Sequence, residues 1–215
     1  MSGVFIRELD IELINDEAKT LELHQKIEGD VSCVVWDASI TLAKYLENLN
    51  KKRPGCLQNM NVVELGAGVG CVGITAACLG ANVLVTDLDR ALPLLILNTE
   101  VNKAQWKDYG AIEVKSLNWG EDLEMKDLPN LILLADCIYY NESINPLIKT
   151  LKELSNADTE IIVCQEMRDT EKQLECWKNF TKIAKEHFEF SFIPIEEHHP
   201  IYCSSDVVLL RLKKL

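Results

Sequence analysis

From residue 61 onward, short apolar runs alternate with stretches of helical character. NVVEL (61–65), NVLVTD (82–87), IEVKSL (112–117), LILLAD (131–136) and TEIIVCQE (159–166) are the runs. Between them, VGCVGITAACLG (69–80), RALPLLILNTEVN (90–102) and INPLIKTLKEL (144–154) read as helices. The first stops at Gly80, and the last carries Pro146 in its first turn. Strands this apolar are buried on both faces, and helical crossovers make them parallel. The expected architecture is therefore α/β: a doubly wound, mostly parallel sheet with helices on both sides.

The flanks are read in the same way. TEKQLECWKNFTKIAKEHF (170–188) has a helical period with many charges on one face, which reads as a solvated face. FEFSFIPI (188–195) and DVVLLRL (206–212) have no helix between them, which predicts a terminal antiparallel pair. Ahead of the sheet, Phe5, Leu9, Ile11 and Leu13 share one parity, with Arg7 among them. A turn at Asn15-Asp16-Glu17 precedes Leu21 and Leu23, so residues 4–27 predict an N-terminal β-hairpin. Residues 34–49 predict a helix after Trp36 with Asp37 as its N-cap, and KKRPGCLQNMN (51–61) a polar loop. At 215 residues, the expected organisation is one domain, 1–30 as a strand extension and 31–215 as the core.

Composition removes several functions. With 22 Lys+Arg against 34 Asp+Glu, net −12, the chain shows no basic stripe for phosphate contacts. Nucleic acid is not expected as a partner; a cationic protein surface is compatible. The eight cysteines form no C-x-x-C pair and no zinc-spaced cluster. No metal site is expected, and the thiols read as reduced, in cytoplasm or nucleus. No signal peptide is apparent, and no run approaches the ~18 apolar residues of a membrane span.

In such sheets, ligands bind beyond the carboxyl ends of the strands. There the first parallel strand runs into ELGAGVG (64–70), and the next ends in Asp87, 21 residues after Gly66. Glycines permit close backbone approach, and a carboxylate at Asp87 suits ribose hydroxyls. The pairing indicates a nucleoside-containing cofactor. GVGCVG (68–73) also matches the dinucleotide fingerprint, but three features favour S-adenosyl-L-methionine. Glu64 beside the loop would repel a pyrophosphate and suit a cation. The chain leaves little room for a second substrate domain. Asp136 brings another acid to the same sheet edge.

The blocks CVVWDASITLAKYLE (33–47), VVELGAGVG (62–70), LGANVLVTDL (79–88), LNWGEDLE (117–124) and ADCIYYNESINPLIKTLKEL (135–154) resemble class I, seven-strand methyltransferases. More narrowly, they resemble the methyltransferase-like 21 family of protein-lysine methyltransferases. The resemblance implies a Rossmann-like methyltransferase sheet and the cofactor S-adenosyl-L-methionine, released as S-adenosyl-L-homocysteine. It implies a protein substrate, an AAA-type ATPase chaperone (valosin-containing protein). The cofactor set is then Trp36, Glu64, Gly66, Ala67, Gly68, Asp87, Leu88, Trp119 and Ala135. Asp136 and Tyr139 match the family's Asp-x-x-Tyr motif at the acceptor end.

That pair suits a lysine acceptor. Only the neutral amine attacks a methyl group, and from a reference pKa of about 10.4 its deprotonation at pH 7 costs about 4.6 kcal/mol. A desolvated pocket reduces the cost. Asp136 would attract and orient the nitrogen, and Tyr139 would wall its path; the proton goes to Asp136 or to water. Enzymes acting on planar nitrogens instead resemble one another in an Asn-Pro-Pro-Tyr block here. Tyr140 reads as packing, His198-His199 as a solvated loop, and Cys71 and Cys137 as thiols near the site without a catalytic part. Two alternatives remain: a small-molecule methyltransferase of the same fold, and a cofactor-binding partner protein without turnover.

Overall fold

The structure is a computed structural model that describes residues 3–13 and 18–215. Two strands, β1 (Val4–Glu12) and β2 (Ala18–Lys26), pair antiparallel as a separate ribbon. Then follow α1 (Asp37–Lys52), β3 (Asn61–Leu65), α2 (Cys71–Cys78), β4 (Asn82–Asp87), α3 (Leu92–Val101), α4 (Lys103–Trp106) and β5 (Ala111–Ser116). The remainder is β6 (Leu131–Ala135), α5 (Asn141–Glu153), β7 (Glu160–Glu166), α6 (Glu171–Ala184), β8 (Phe188–Phe192) and β9 (Val207–Lys214). The sheet order is β5-β4-β3-β6-β7-β9-β8; β3 to β7 run parallel, and β9 lies antiparallel to both β7 and β8. The strand order reverses between β3 and β6, so the switch-point crevice opens beyond Leu65 and Ala135.

Alternation along each strand divides the core in two. Val62, Val83, Val85, Leu131 and Leu133 pack with α1, α2, α3 and the hairpin's Leu9, Ile11, Leu21 and Leu23. Val63, Leu65, Ile132 and Leu134 pack on the other face with Leu147 and Leu151 of α5 and Phe180 of α6. This is the doubly wound arrangement that the apolar runs predict.

The outer edge of β2 is closed by side chains, not by a third strand. Asn102 accepts from Glu22 N at 2.9 Å and donates to Glu22 O at 2.9 Å. One helical turn earlier, Asn98 accepts from His24 N at 2.8 Å and donates to His24 O and to Val69 O, both at 3.0 Å. Four helical residues rise about 6 Å and two strand residues about 6.8 Å, so i, i+4 amides on a helix can imitate the edge of a strand.

Several boundaries differ from expectation. Trp36, extended at φ −88° and ψ 153°, precedes α1, and Asp37 is its first helical residue; its charge there still suits the helix dipole. The helix continues to Lys52, shortening the expected loop, and Leu57 within that loop is buried. Gly68 and Gly70 have φ of +56° and +86°, so α2 begins only at Cys71. Extended Tyr140 starts α5 at Asn141, which leaves Pro146 inside the helix instead of in its first turn. α6 ends at Ala184. Phe5 is exposed while Leu9, Ile11 and Leu13 are buried, and the expected turn at Asn15-Asp16-Glu17 lies outside the described residues. His198 and His199 are buried, not solvated. His198 Nε2 lies 3.1 Å from Ile193 O, and His199 Nδ1 accepts from the amides of Ile201 and Tyr202 at 3.2 Å.

Candidate active site

A cavity of about 610 Å³ lies at the switch point. Trp36, Gly66, Ala67, Gly68, Asp87, Leu88, Trp119, Ala135, Asp136 and Tyr139 all line it. Residues from five separate parts of the chain thus meet on one surface.

The glycine loop forms the floor. Gly66 has φ +66°, and a Cβ there would sit 2.9 Å from Cys137 Sγ and 3.2 Å from Trp119 Cζ2. Only glycine leaves the backbone open between these side chains. At Gly73 a Cβ would meet Val85 Cγ1 at 2.3 Å, so this glycine lets α2 press onto β4. Asp87 holds the loop from the next strand: one oxygen accepts from Gly68 N and the other from Leu88 N, each at 2.7 Å. Burial raises its carboxyl above the ordinary value, and these two amides oppose the rise.

Glu64 does not face this space. Its carboxylate is turned beneath the loop, where it accepts from Gly73 N at 2.8 Å. The physical reason is the start of α2: Gly70, before the helix, has no side chain to satisfy the first-turn amides, and Glu64 reaches in from β3 to meet one. Burial pushes its carboxyl up to about 8. A carboxyl raised in the folded state contributes stability that is full below its unfolded value of 4.5 and is lost as pH rises toward about 8. In urea titrations without cofactor, wild-type protein should therefore lose stability between pH 5 and pH 8. Glu64→Gln should lack this component, on the order of a few kcal/mol. Equal pH slopes for the two proteins would refute the assignment.

At the other end, Asp136 follows β6 in a left-handed conformation, φ +56°. This turns the chain out of the sheet, while Asp136 N still donates to Cys164 O at 2.8 Å. Its side chain meets the end of β7. Oδ1 accepts from Gln165 Nε2 at 2.6 Å, and Oδ2 pairs with Arg168. Arg168 also pairs with Glu166 at 2.6 Å and lies 5.0 Å from the centre of the Trp36 ring. Burial raises the Asp136 carboxyl, and Arg168 opposes it. Tyr139, raised far above an ordinary phenol by burial, stays protonated. Its ring centre lies 4.5 Å from that of Tyr140. Tyr140 is 41% exposed and lines the cavity, so it is a wall residue and not core packing. The Cys71 thiol is pushed up to about 12 by burial, and Cys137 is raised in the same way; neither is a nucleophile at neutral pH.

Arg168, Gln165 and Glu166 were not foreseen, nor were Asp30 and Arg90, which pair beside Asp87 at the rim. The strand-end rule that marks Asp136 after β6 marks QEMR (165–168), where β7 ends, equally well.

The donor set fits a cationic, phosphate-free nucleoside. Asp30, Asp87, Asp136 and Glu142 line the cavity, and its two guanidiniums, Arg90 and Arg168, are both ion-paired. Among the described residues no His/Cys/Asp/Glu cluster could hold a metal, and no helix is long and apolar enough to cross a membrane.

A family model described as lysine methyltransferase matches residues 15–186. Protein N-lysine methyltransferase METTL21A of Xenopus tropicalis is 35% identical over 172 residues, covering 80% of this chain and 75% of that protein. EEF1A lysine methyltransferase 3 of Mus musculus is 33% identical over 170 residues, covering 78% and 68%. Among solved structures, magnesium protoporphyrin IX methyltransferase of Synechocystis, with bound S-adenosylmethionine, shares the fold. It aligns at TM-score 0.58 and 15% identity, over 83% of this chain and 80% of that one.

Proposed function

This chain belongs to the lysine methyltransferase family, and from that premise we propose that its acceptor is a lysine of an AAA-type ATPase chaperone, valosin-containing protein. The chain is an S-adenosyl-L-methionine-dependent protein-lysine N-methyltransferase. The chaperone reading is carried by one observation, the likeness of CVVWDASITLAKYLE (33–47) and ADCIYYNESINPLIKTLKEL (135–154) to enzymes of that specificity. Both blocks contribute walls to the cavity. The eight unpaired cysteines support a reducing compartment, cytoplasm or nucleus, as its place of action. We read residues 31–215 as the catalytic core and 1–30 as its extension.

When bound, S-adenosyl-L-methionine supplies a methyl group activated on a sulfonium. Asp87 would accept the ribose hydroxyls while it keeps the loop amides of Gly68 and Leu88. Gly66 and Ala67 present bare backbone, and Trp119 would cover the base as a flat wall. Ala135 would border the cofactor, and Asp136 would draw the acceptor nitrogen toward it. Tyr139, neutral and half-buried, offers a π-face and a hydroxyl along the approach. The gain is mostly positional: the nitrogen must be held about 3 Å from the methyl carbon, in line.

Cell lysate incubated with labelled S-adenosylmethionine and enzyme should give one labelled band, identified as the chaperone and labelled on lysine. Label on EEF1A, for which one 33% identical relative is named, would replace the chaperone with that factor. Label confined to small metabolites would overturn a protein acceptor.

A further inference from the structure

Asp136 presents a problem that the motif does not solve. A bare carboxylate beside the acceptor would bind it best as ammonium, the form that cannot attack. Every strong partner of Asp136 comes from the end of β7. Gln165 and the Glu166 amide hold Oδ1, at 2.6 and 3.4 Å, and Arg168 holds Oδ2. The guanidinium is fixed from two further sides, by Glu166 at 2.6 Å and by the Trp36 ring at 5.0 Å. It is a built counter-charge on an otherwise enclosed acid, and Asp136 is only 8% exposed.

We propose that Arg168 is a positioning residue that keeps Asp136 charge-balanced, so that the carboxylate receives the acceptor as a hydrogen-bonded neutral amine without locking it as ammonium. The proposal rests on the lysine-transfer reading of the site. The charges that face the acceptor region are few. Asp136 and the neutral Tyr139 come from the segment after β6. Glu166 ends β7 and Arg168 follows it, with the un-ionised thiols of Cys137 and Cys164 buried nearby. Asp87 lies across the cavity and Arg90 pairs with Asp30 at its rim. Glu142 lines the cavity at the start of α5, and Lys172 of α6 sits over the outer face of Tyr140 at 5.0 Å. Arg168 is the cation that touches Asp136 itself. Removing its charge leaves Asp136 and Glu166 together, and a nearby opposite charge moves a titration by about one to three units.

The test has two arms. In the first, the pH dependence of kcat is followed at saturating cofactor on the protein that the wild-type enzyme labels. Arg168→Gln should move the rising midpoint up by about one unit, a tenfold loss of rate below it. Arg168→Lys, which keeps the charge, should retain the wild-type midpoint. Glu166→Gln should move it down. In the second arm, no substrate or cofactor is present: carboxyl 13C NMR follows the Asp136 signal, identified by its loss in Asp136→Asn. Its midpoint should rise by about a unit in Arg168→Gln and not in Arg168→Lys. If no protein is labelled by wild type, the lysine-transfer reading fails, and the NMR arm still decides whether Arg168 sets the charge of Asp136. The proposal is overturned by unchanged midpoints in Arg168→Gln. It is equally overturned by a faster Arg168→Gln enzyme with unchanged midpoint, which would make Arg168 a plug displaced by substrate.

Discussion

Asp136→Ala is expected to lower methyl transfer by at least about a hundredfold while leaving cofactor affinity within a few-fold of wild type. The size follows from geometry. Misplacing reacting atoms by about 1 Å costs on the order of 10² in rate. The alanine also removes one of the two acids that share Arg168, so an incoming ammonium meets the neutral Arg168–Glu166 pair where it met a carboxylate. Gln165 Nε2 loses its 2.6 Å acceptor as well. Asp136→Asn separates charge from shape: the amide oxygen can still receive Gln165, but the attraction for a cation is gone. It should lose nearly as much activity as the alanine. Initial rates with labelled cofactor, beside calorimetric cofactor binding, make the comparison. Full activity in either variant would remove Asp136 from the acceptor site.

Asp87→Ala should act at the opposite end and with the opposite signature. Its oxygens tie the amides of Gly68 and Leu88, so the variant loses ribose acceptors and also loosens the loop that the cofactor lies on. Hydrogen bonds to a charged group are worth about 1.5–3 kcal/mol each. Losing one or two weakens binding between about tenfold and, at the upper limit for two, about ten-thousandfold, at 1.4 kcal/mol per tenfold. Titration calorimetry with S-adenosylmethionine should show this, while kcat at saturating cofactor falls much less. Unchanged affinity would mean that the ribose is held elsewhere.

The parallel sheet was legible because its strands are buried on both faces. Val62 and Val63, or Leu131 and Ile132, need no polar side, and only a sheet covered by helices accommodates them. Asp87 and Asp136 were legible for a related reason: a carboxylate that ends an apolar strand must emerge at the sheet's functional edge. What escaped notice depended on side-chain direction. Glu64 lies in a strand next to the loop, but pleat alternation turns it under α2, and no spacing argument shows that Gly70 leaves that helix uncapped. Arg168 follows β7 by two residues, yet its meaning arises only when Asp136 adopts a left-handed turn and swings toward it. His198 and His199 looked solvated because their neighbours are polar. They are buried because Asn48 of α1 reaches the carbonyls of Glu197 and His198.

The Asn98 side chain joins two segments far apart in sequence, the hairpin at His24 and the glycine loop at Val69. Equilibria that share a partner are linked, and linkage is reciprocal. Whatever steadies Val69 from the cavity side also favours the docked hairpin, and a docked hairpin holds the loop ready. The ribbon ahead of the catalytic sheet is thereby a thermodynamic part of the cofactor site, although its strands contribute no atom to the cavity wall.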